Sequence, residues 1–370
     1  MLYELLNDDS ISTVYCLTRR ESPLEAILHT LNHKDLFISP EQKTKIVAFN
    51  SRLDQPGFGL SLDESTITHM LESVSLIIHT AWPVNFNLPL TGFEPHIKGL
   101  NNLIQLSLSV HRPEPAMVMF CSSVSTALGS RAAEILEEPV DLDSAFMGYG
   151  KSKLVGERIV SNARRSGARA YSLRIGQVSG HSRKGLWNDS EALPLMIRSA
   201  LTLGALPELS QTCSWLPVDK LASTILELAE TCATPSVFGE SPASSSASVE
   251  YVDDSIFNLC NSREFTWSSL LHTLKNCGFR FDVVSFEEWL LRLRQSETRG
   301  EELVNPAVKL IHHYETMHGE KSSLKQNGPK RFVTEKAERS SVTLRNDRLR
   351  IIEDGILRYY VQDWLARWTT

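Results

Sequence analysis

Short apolar runs alternate with stretches of helical spacing through the first half of the chain. Runs rich in apolar and β-branched residues predict strands at 13–18 (TVYCLT), 44–49 (TKIVAF), 76–79 (LIIH), 116–120 (AMVMF) and 170–175 (AYSLRI). Amphipathic segments near 23–31, 64–72 and 99–110 predict helices between them. Because parallel strands need such crossovers, the pattern predicts an α/β fold of the Rossmann-like class, a doubly wound parallel sheet with helices on both faces.

Beyond residue 180 the pattern becomes less regular and richer in helices. Candidate helices lie at 267–276, 286–295, 305–313 and 349–368. The Ser/Pro-rich stretch near 234–250 predicts a flexible surface loop, because it has little apolar surface to bury. We therefore divide the chain into a Rossmann-like domain at 1–180 and a smaller, helix-rich substrate-binding region at 181–370.

Composition narrows the class of protein. Hydrophobic residues make up 42% and charged residues 22% of the chain, the balance of an ordinary globular protein. A formal net charge of −6 provides no general attraction to the phosphates of nucleic acid. The cysteines show no zinc or disulfide spacing, and no apolar run approaches the roughly 20 residues of a membrane span. We expect a cytoplasmic protein that binds neither metal, membrane nor nucleic acid.

A tyrosine and a lysine stand four residues apart in Tyr149–Gly150–Lys151–Ser152–Lys153. On a helix this spacing places both side chains on one face, where the ammonium favours ionisation of the phenol and brings proton transfer within reach near neutral pH. An isolated pair of this kind is more often an ordinary surface pair. Here the predicted strand AMVMF ends in Cys121–Ser122–Ser123–Val124–Ser125, which brings hydroxyl groups to the edge of the sheet where such folds bind ligands.

Together these segments resemble a known family. FCSSVS followed by GYGKSK resembles the Ser/Tyr/Lys set of extended short-chain dehydrogenases/reductases. Four further segments extend the resemblance over nearly the whole chain to the thioester reductase domains of nonribosomal-peptide-synthetase-like enzymes and carboxylic acid reductases. They are RLDQPGFGLS (52–61), IIHTAWPVNFNLP (77–89), RIGQVSG (174–180) and SWLPVDKLA (214–222). In the first of them an Asp and a Leu are inverted and Phe58 replaces a leucine.

The resemblance implies a catalytic group. Tyr149 would protonate or hydrogen-bond the carbonyl oxygen, and Lys153 would hold the nicotinamide ribose and lower the pKa of the tyrosine. Ser123 aligns best as the second donor to the oxyanion, and Ser125 is the competing choice. The implied reaction is the NADPH-dependent reduction of an acyl or peptidyl thioester, carried on a phosphopantetheine arm of a carrier protein or domain, to an aldehyde. A further reduction to the alcohol stays open.

The resemblance also implies a cofactor site in the region 1–180. Arg19 and Arg20 stand where an NAD enzyme would hold the ribose with an acid, so they favour the 2′-phosphate of NADPH, with ordinary surface charges as the alternative. Asp54 would contact the adenine edge. The residues expected to border the cofactor, besides Tyr149 and Lys153, are His79, Ala81 and Asn85, although a histidine such as His79 is by itself more often structural.

One part of the family pattern has no counterpart in this sequence. Related domains open with a strand and a T-G-x-x-G-x-x-G loop whose backbone amides hold the pyrophosphate. We therefore expect a reductase that lacks this N-terminal strand and loop and binds NADPH weakly, or an inactive truncated remnant. A sugar-nucleotide epimerase or dehydratase, or a simple carbonyl reductase on the same fold, is the other alternative.

Two aromatic clusters near the end of the chain are expected to be structural. The motif HHYETMH contains His312, His313 and His318 without carboxylates or cysteines at ligand spacing, so it is expected to be a solvated helix end. Trp289, Trp364 and Trp368 stand at helical spacing among leucines and are expected in the core.

Overall fold

The computed structural model describes residues 1–60, 64–234, 253–319, 328–346 and 349–368. Its helices are α1 (Leu2–Asn7), α2 (Pro23–His33), α3 (Pro40–Thr44), α4 (Glu64–Ser73), α5 (Glu94–Ser109), α6 (Gly148–Arg165), α7 (Ala192–Leu203), α8 (Val218–Ala233), α9 (Trp267–Asn276), α10 (Phe286–Thr298), α11 (Ile311–His318), α12 (Glu335–Ser340), α13 (Val342–Asn346) and α14 (Ile356–Trp368). Its strands are β1 (Val14–Thr18), β2 (Ile46–Asn50), β3 (Leu76–His79), β4 (Met117–Ser123), β5 (Glu134–Ile135), β6 (Ala170–Ile175), β7 (Gln177–Ser179), β8 (Ala205–Pro207), β9 (Thr212–Cys213), β10 (Trp215–Pro217), β11 (Ile256–Leu259), β12 (Phe265–Thr266), β13 (Asp282–Val284) and β14 (Arg331–Phe332).

A four-stranded parallel sheet in the order β11-β6-β4-β3 forms the centre of the fold. Side chains of β4 alternate between its two faces, as strand geometry requires. Phe120 packs with Leu100 of α5 on one face, and Met119 packs with Leu228 of α8 on the other. Helices thus cover both faces of a parallel sheet, and the predicted Rossmann-like α/β class is confirmed.

A second parallel pair, formed by β1 and β2, is separate from the central sheet. All seven residues of β4 are buried, whereas all five of β1 are only partly buried. Among the described residues, β1 pairs only with β2 and β3 pairs only with β4. Each of these two strands therefore has one backbone edge without a strand partner, and their carboxyl ends border the cavity described below.

The second half of the chain has its own aromatic core. Trp289 and Trp364 are fully buried in it, and the indole Nε1 of Trp289 donates to Ser199 Oγ at 3.0 Å. Trp368 is partly buried and stacks on Trp364 with ring centroids 5.2 Å apart. The core position expected for these tryptophans is confirmed. None of the described helices is long and apolar enough to cross a membrane.

Some helices and strands begin at residues other than those predicted from the sequence. The strand expected at 44–49 begins at Ile46, because Ser39 and Gln42 form a capping box that starts α3 just before it. Helix α5 begins at Glu94 rather than near 99, with Pro95 in its first turn. The expected helix at 305–313 is a 3₁₀ turn (Pro306–Leu310) followed by α11.

The described segment after residue 252 contributes β11, which pairs with β6 in the central sheet and was not predicted from the sequence. Nearly all of the Ser/Pro-rich stretch expected to be a flexible loop, residues 235–250, lies outside the described residues. The division at residue 180 stays a prediction.

Candidate active site

The first turn of α6 lies against the carboxyl end of β4. Strand β4 ends at Ser123, and α6 carries Tyr149 in its second position and Lys153 one turn later. This approach depends on glycine, since a Cβ atom on Gly150 would lie 2.5 Å from the backbone oxygen of Ser125. The segment GYGKSK therefore combines the reactive side chains with the small residue that lets them reach the strand end.

Tyr149 and Ser123 form the first part of the site. Their side chains are hydrogen bonded, and the tyrosine is 8% exposed. Burial raises the pKa of Tyr149, and the hydrogen bond to Ser123 opposes this rise. The backbone NH of Ser125 donates to Ser123 Oγ at 3.2 Å, and the Ser125 hydroxyl accepts from the same oxygen at 3.2 Å. Of the two candidate serines, Ser123 contacts Tyr149 directly.

Lys153 forms the second part of the site. Its Nζ donates to the backbone oxygen of Cys121 at 2.6 Å and lies 5.9 Å from the ring centroid of Tyr149. Burial lowers the pKa of Lys153 to about 7, and the acidic groups of Cys121 and Glu157 oppose the shift. A lysine with a pKa near neutrality changes its charge in the pH range where enzymes work, and such groups concentrate at functional sites.

A buried ion pair lies beneath this group. Arg174 Nε lies 3.0 Å and 3.2 Å from the two carboxylate oxygens of Glu157, and Arg174 Nη2 donates to Oε2 at 2.8 Å. The Ser122 hydroxyl donates to the same carboxylate at 2.6 Å. Because Ser122 is on β4, Glu157 on α6 and Arg174 on β6, the pair joins the elements that carry Ser123 and Lys153. Sequence patterning alone gave no reason to expect this pairing.

A cavity of about 800 Å³ opens at the carboxyl ends of β1, β2 and β3. Four of the expected cofactor residues line it: Arg19, Arg20, Asp54 and Ala81. Two cationic or titratable side chains that the sequence analysis missed, Arg52 and His96, line it as well. Arg52 lies 3.9 Å from Asp54 in an exposed ion pair, and burial followed by the charge of Arg19 lowers the pKa of His96.

The structure does not bring His79 and Asn85 to the wall of this cavity. His79 is 3% exposed and packs between the rings of Phe120 and Trp82, with centroids 6.0 Å and 5.9 Å away. Burial lowers the pKa of His79 to about 3, and its Nε2 has no hydrogen-bond partner within the described chain. Asn85 is exposed, and its Oδ1 accepts from the backbone NH of Asn87. These positions favour a packing role for His79.

The solvated helix end expected from the sequence is found at His312, which is exposed, but not at His313 and His318, which are partly buried. The His313 ring stacks on Phe86 at a centroid distance of 4.4 Å, and Phe86 meets the Tyr149 ring edge-on at 5.3 Å. His318 is partly buried against Phe286. Packing of α11 onto the loop after β3 is a long-range contact, so spacing along the chain could not reveal it. No group of three metal-ligating side chains occurs among the residues the structure describes.

A parallel sheet with helices on both faces and a serine, a tyrosine and a lysine at its carboxyl edge defines a nicotinamide-binding reductase domain of the short-chain dehydrogenase type. The chain belongs to the NAD-binding family described as male sterility protein, whose model matches residues 1–225.

Some relatives with curated names are reductases, and others are non-reducing polyketide synthases. The chain is 30% identical over 379 residues to the adenylate-forming reductase Nps10 of Heterobasidion annosum, covering 97% of the chain and 32% of that protein. It is 31% identical over 317 residues to a carboxylic acid reductase of Neurospora crassa, covering 83% of the chain and 28% of that protein. The chain thus spans about a third of the length of these relatives.

The fold also matches a solved reductase domain. The terminal R domain from the myxalamid PKS-NRPS biosynthetic pathway aligns with a TM-score of 0.77 and 22% identity, over 100% of this chain and 87% of that one. The resemblance to thioester reductase domains drawn from the sequence motifs is confirmed by these findings taken together.

Proposed function

We propose that the protein uses NADPH to reduce an acyl or peptidyl thioester, carried on the phosphopantetheine arm of a carrier protein or domain, to an aldehyde. The observation that carries the proposal is the buried group of Ser123, Tyr149 and Lys153 at the end of β4. The names of the relatives support the reaction class, since they include adenylate-forming and carboxylic acid reductases. A second reduction of the aldehyde would yield an alcohol.

The donor set of the cavity fits a phosphorylated dinucleotide. Arg19, Arg20 and Arg52 are among its lining residues, and guanidinium is the side-chain group best suited to a phosphate. Asp54 adds an acceptor for hydroxyl or amino groups. We assign the region 1–180 to the cofactor and the region 181–370 to the substrate, with NADPH preferred over NADH because of the arginines.

The chain's own residues would stabilise charge on the substrate oxygen. When bound, NADPH supplies a hydride to the carbonyl carbon. Tyr149 and Ser123 donate hydrogen bonds to the developing oxyanion, and Tyr149 gives it a proton. Lys153 as a cation stabilises the tyrosinate that remains. The resulting hemithioacetal loses its carbon–sulfur bond, releasing the aldehyde and the free thiol of the carrier arm, so one hydride and one proton are added overall.

The test follows NADPH oxidation and aldehyde formation by the full-length protein with a carrier-bound acyl thioester. Tyr149→Phe should reduce the rate by about 100-fold or more, because one donor to the oxyanion is lost. NADPH affinity should stay nearly unchanged, since the hydroxyl acts on the substrate. Tyr359→Phe is the matched control, because the Tyr359 side chain is 46% exposed.

A rate of Tyr149→Phe close to that of the wild type would contradict the catalytic assignment. Turnover without net NADPH consumption would instead identify an epimerase, which returns the hydride to its product.

A further inference from the structure

Trp82 is held in one orientation beside the candidate catalytic lysine. The residue is 9% exposed and lies in the loop that follows β3. Its indole Nε1 donates to the Ser152 hydroxyl at 3.1 Å, and that hydroxyl donates to the backbone oxygen of Tyr149 at 2.7 Å. The ring is thus tied to the turn of α6 that contains both Tyr149 and Lys153.

Two aromatic rings flank the Lys153 ammonium. Its Nζ lies 4.5 Å from the ring centroid of Trp82 and 4.9 Å from that of Phe120. The two rings meet at 62° with their centroids 5.4 Å apart, and the backbone oxygen of Cys121 completes the enclosure. The faces of aromatic rings attract cations, and the attraction grows when water is excluded, as it is around this 3%-exposed lysine.

The other charged and titratable groups around Lys153 come from four elements. Glu157 on α6 and the backbone oxygen of Cys121 on β4 favour the cation. Burial followed by the charge of Lys153 lowers the pKa of His79 on β3, and burial also lowers the pKa of His96 on α5. Tyr149 on α6 has a pKa raised by burial, so it is neutral near pH 7. The two histidines are thus neutral at that pH, and the aromatic rings are the other groups that stabilise the ammonium.

We propose that Trp82, together with Phe120, is a positioning residue that holds Lys153 in its charged form beside Tyr149. The inference rests on the proposed function, in which the Lys153 cation assists proton transfer by the tyrosine. Trp82, the tryptophan of the segment HTAWPVN, thus acts through Lys153 and not by contact with the substrate or the cofactor.

The pH dependence of kcat/KM tests this role in the full-length enzyme. Activity that needs the Lys153 cation is fully present below the pKa of this lysine, about 7, and is lost as pH rises through it. The fall of kcat/KM at high pH is the basic limb of the profile. Trp82→Leu removes the indole ring, so this limb should move to lower pH by about one unit, which gives a roughly tenfold loss of activity at pH values above it. Trp82→Phe keeps a ring face, so its basic limb should lie close to the pH of the wild-type limb.

Phe93→Leu is the matched control. Phe93 is fully buried and stacks on Trp82 at 6.5 Å. The rings that lie over Lys153 Nζ are those of Trp82, Phe120 and Tyr149 instead. Its replacement should reduce stability without moving the basic limb. Should Trp82→Leu fail to fold, tetrafluorotryptophan at position 82 weakens the charge of the ring face at nearly constant shape and should shift the limb in the same direction.

A direct titration separates this inference from the proposed function. The Lys153 signal of isotope-labelled lysine, assigned with Lys153→Gln, should titrate at lower pH in Trp82→Leu than in the wild type whether or not the protein turns over. A Lys153 titration that is the same in wild type, Trp82→Leu and the fluorinated protein would overturn the inference. An unreactive wild type with the expected titration shift would refute only the proposed reaction.

Discussion

The buried pair of Glu157 and Arg174 should be one of the most sensitive points of the structure. Their side chains are 3% and 0% exposed, and three nitrogen–oxygen distances between them lie at 2.8–3.2 Å. Arg174 Nη1 also donates to the backbone oxygen of Leu136 at 3.2 Å. Two charges removed from water in this way are tolerable only while each compensates the other.

Arg174→Met tests the pair by removing one charge. The Glu157 carboxylate would then remain buried with the Ser122 hydroxyl as its remaining side-chain partner, and an uncompensated buried charge costs about 3–5 kcal/mol of the free energy of unfolding. The Leu136 oxygen would lose a donor, which adds about 1 kcal/mol. The double change Glu157→Leu/Arg174→Met removes both charges, so it should recover most of the loss.

Urea unfolding of the full-length protein and its variants measures these differences. Arg299→Met is a suitable control, because Arg299 and Glu301 form an ion pair whose side chains are 57% and 39% exposed. Water screens exposed pairs of this kind, so this change should have little effect. A cost of Arg174→Met as small as that of the control, or a double variant less stable than the single one, would refute the reasoning, since either result would mean that the pair is not desolvated.

Three further predictions follow from the site. Burial lowers the pKa of His79 to about 3 from an ordinary 6.5. As the pH falls from 7 to 5, the unfolded chain therefore binds a proton at His79 and the folded chain does not. Stability should therefore fall by about 2 kcal/mol between pH 7 and pH 5, and His79→Leu should reduce this loss in urea unfolding at both pH values. Gly150→Ala should lower the reduction rate at least about tenfold, because the added Cβ would force α6 away from Ser125; an unchanged rate would show that α6 adjusts freely. Changing Arg19 and Arg20 to Ala should remove most of the preference for NADPH over NADH, measured as the ratio of kcat/KM for the two cofactors, and equal use of both by the wild type would contradict the assignment.

Local patterns in the sequence were sufficient for much of the fold. The strand Ala170–Ile175 and the helix Trp267–Asn276 have the predicted bounds, because their apolar periods and flanking turns are local signals. The i, i+4 spacing of Tyr149 and Lys153 likewise specified that they share a helix face, whatever the helix packs against. The predicted start of a strand was wrong where a capping side chain acts, since Ser39 begins α3 just before β2.

Contacts between distant parts of the chain could not be predicted in this way. Only the tertiary structure decided that Ser123 is hydrogen bonded to Tyr149, because this contact joins the end of β4 to the first turn of α6. The enclosure of Lys153 by Trp82 and the pairing of Glu157 with Arg174 depend in the same way on how α6 packs against separate strands.

The sequence by itself thus determined the main strands and helices of the first half and the tyrosine–lysine pair, since periodicity and spacing act within a few residues. The tertiary structure decided which side chains are desolvated together. Burial sets the pKa of Lys153 to about 7 and leaves His79 uncharged in the core rather than at the cavity wall. The physical reason is that desolvation depends on every atom packed around a group, and most of those atoms come from distant positions in the chain.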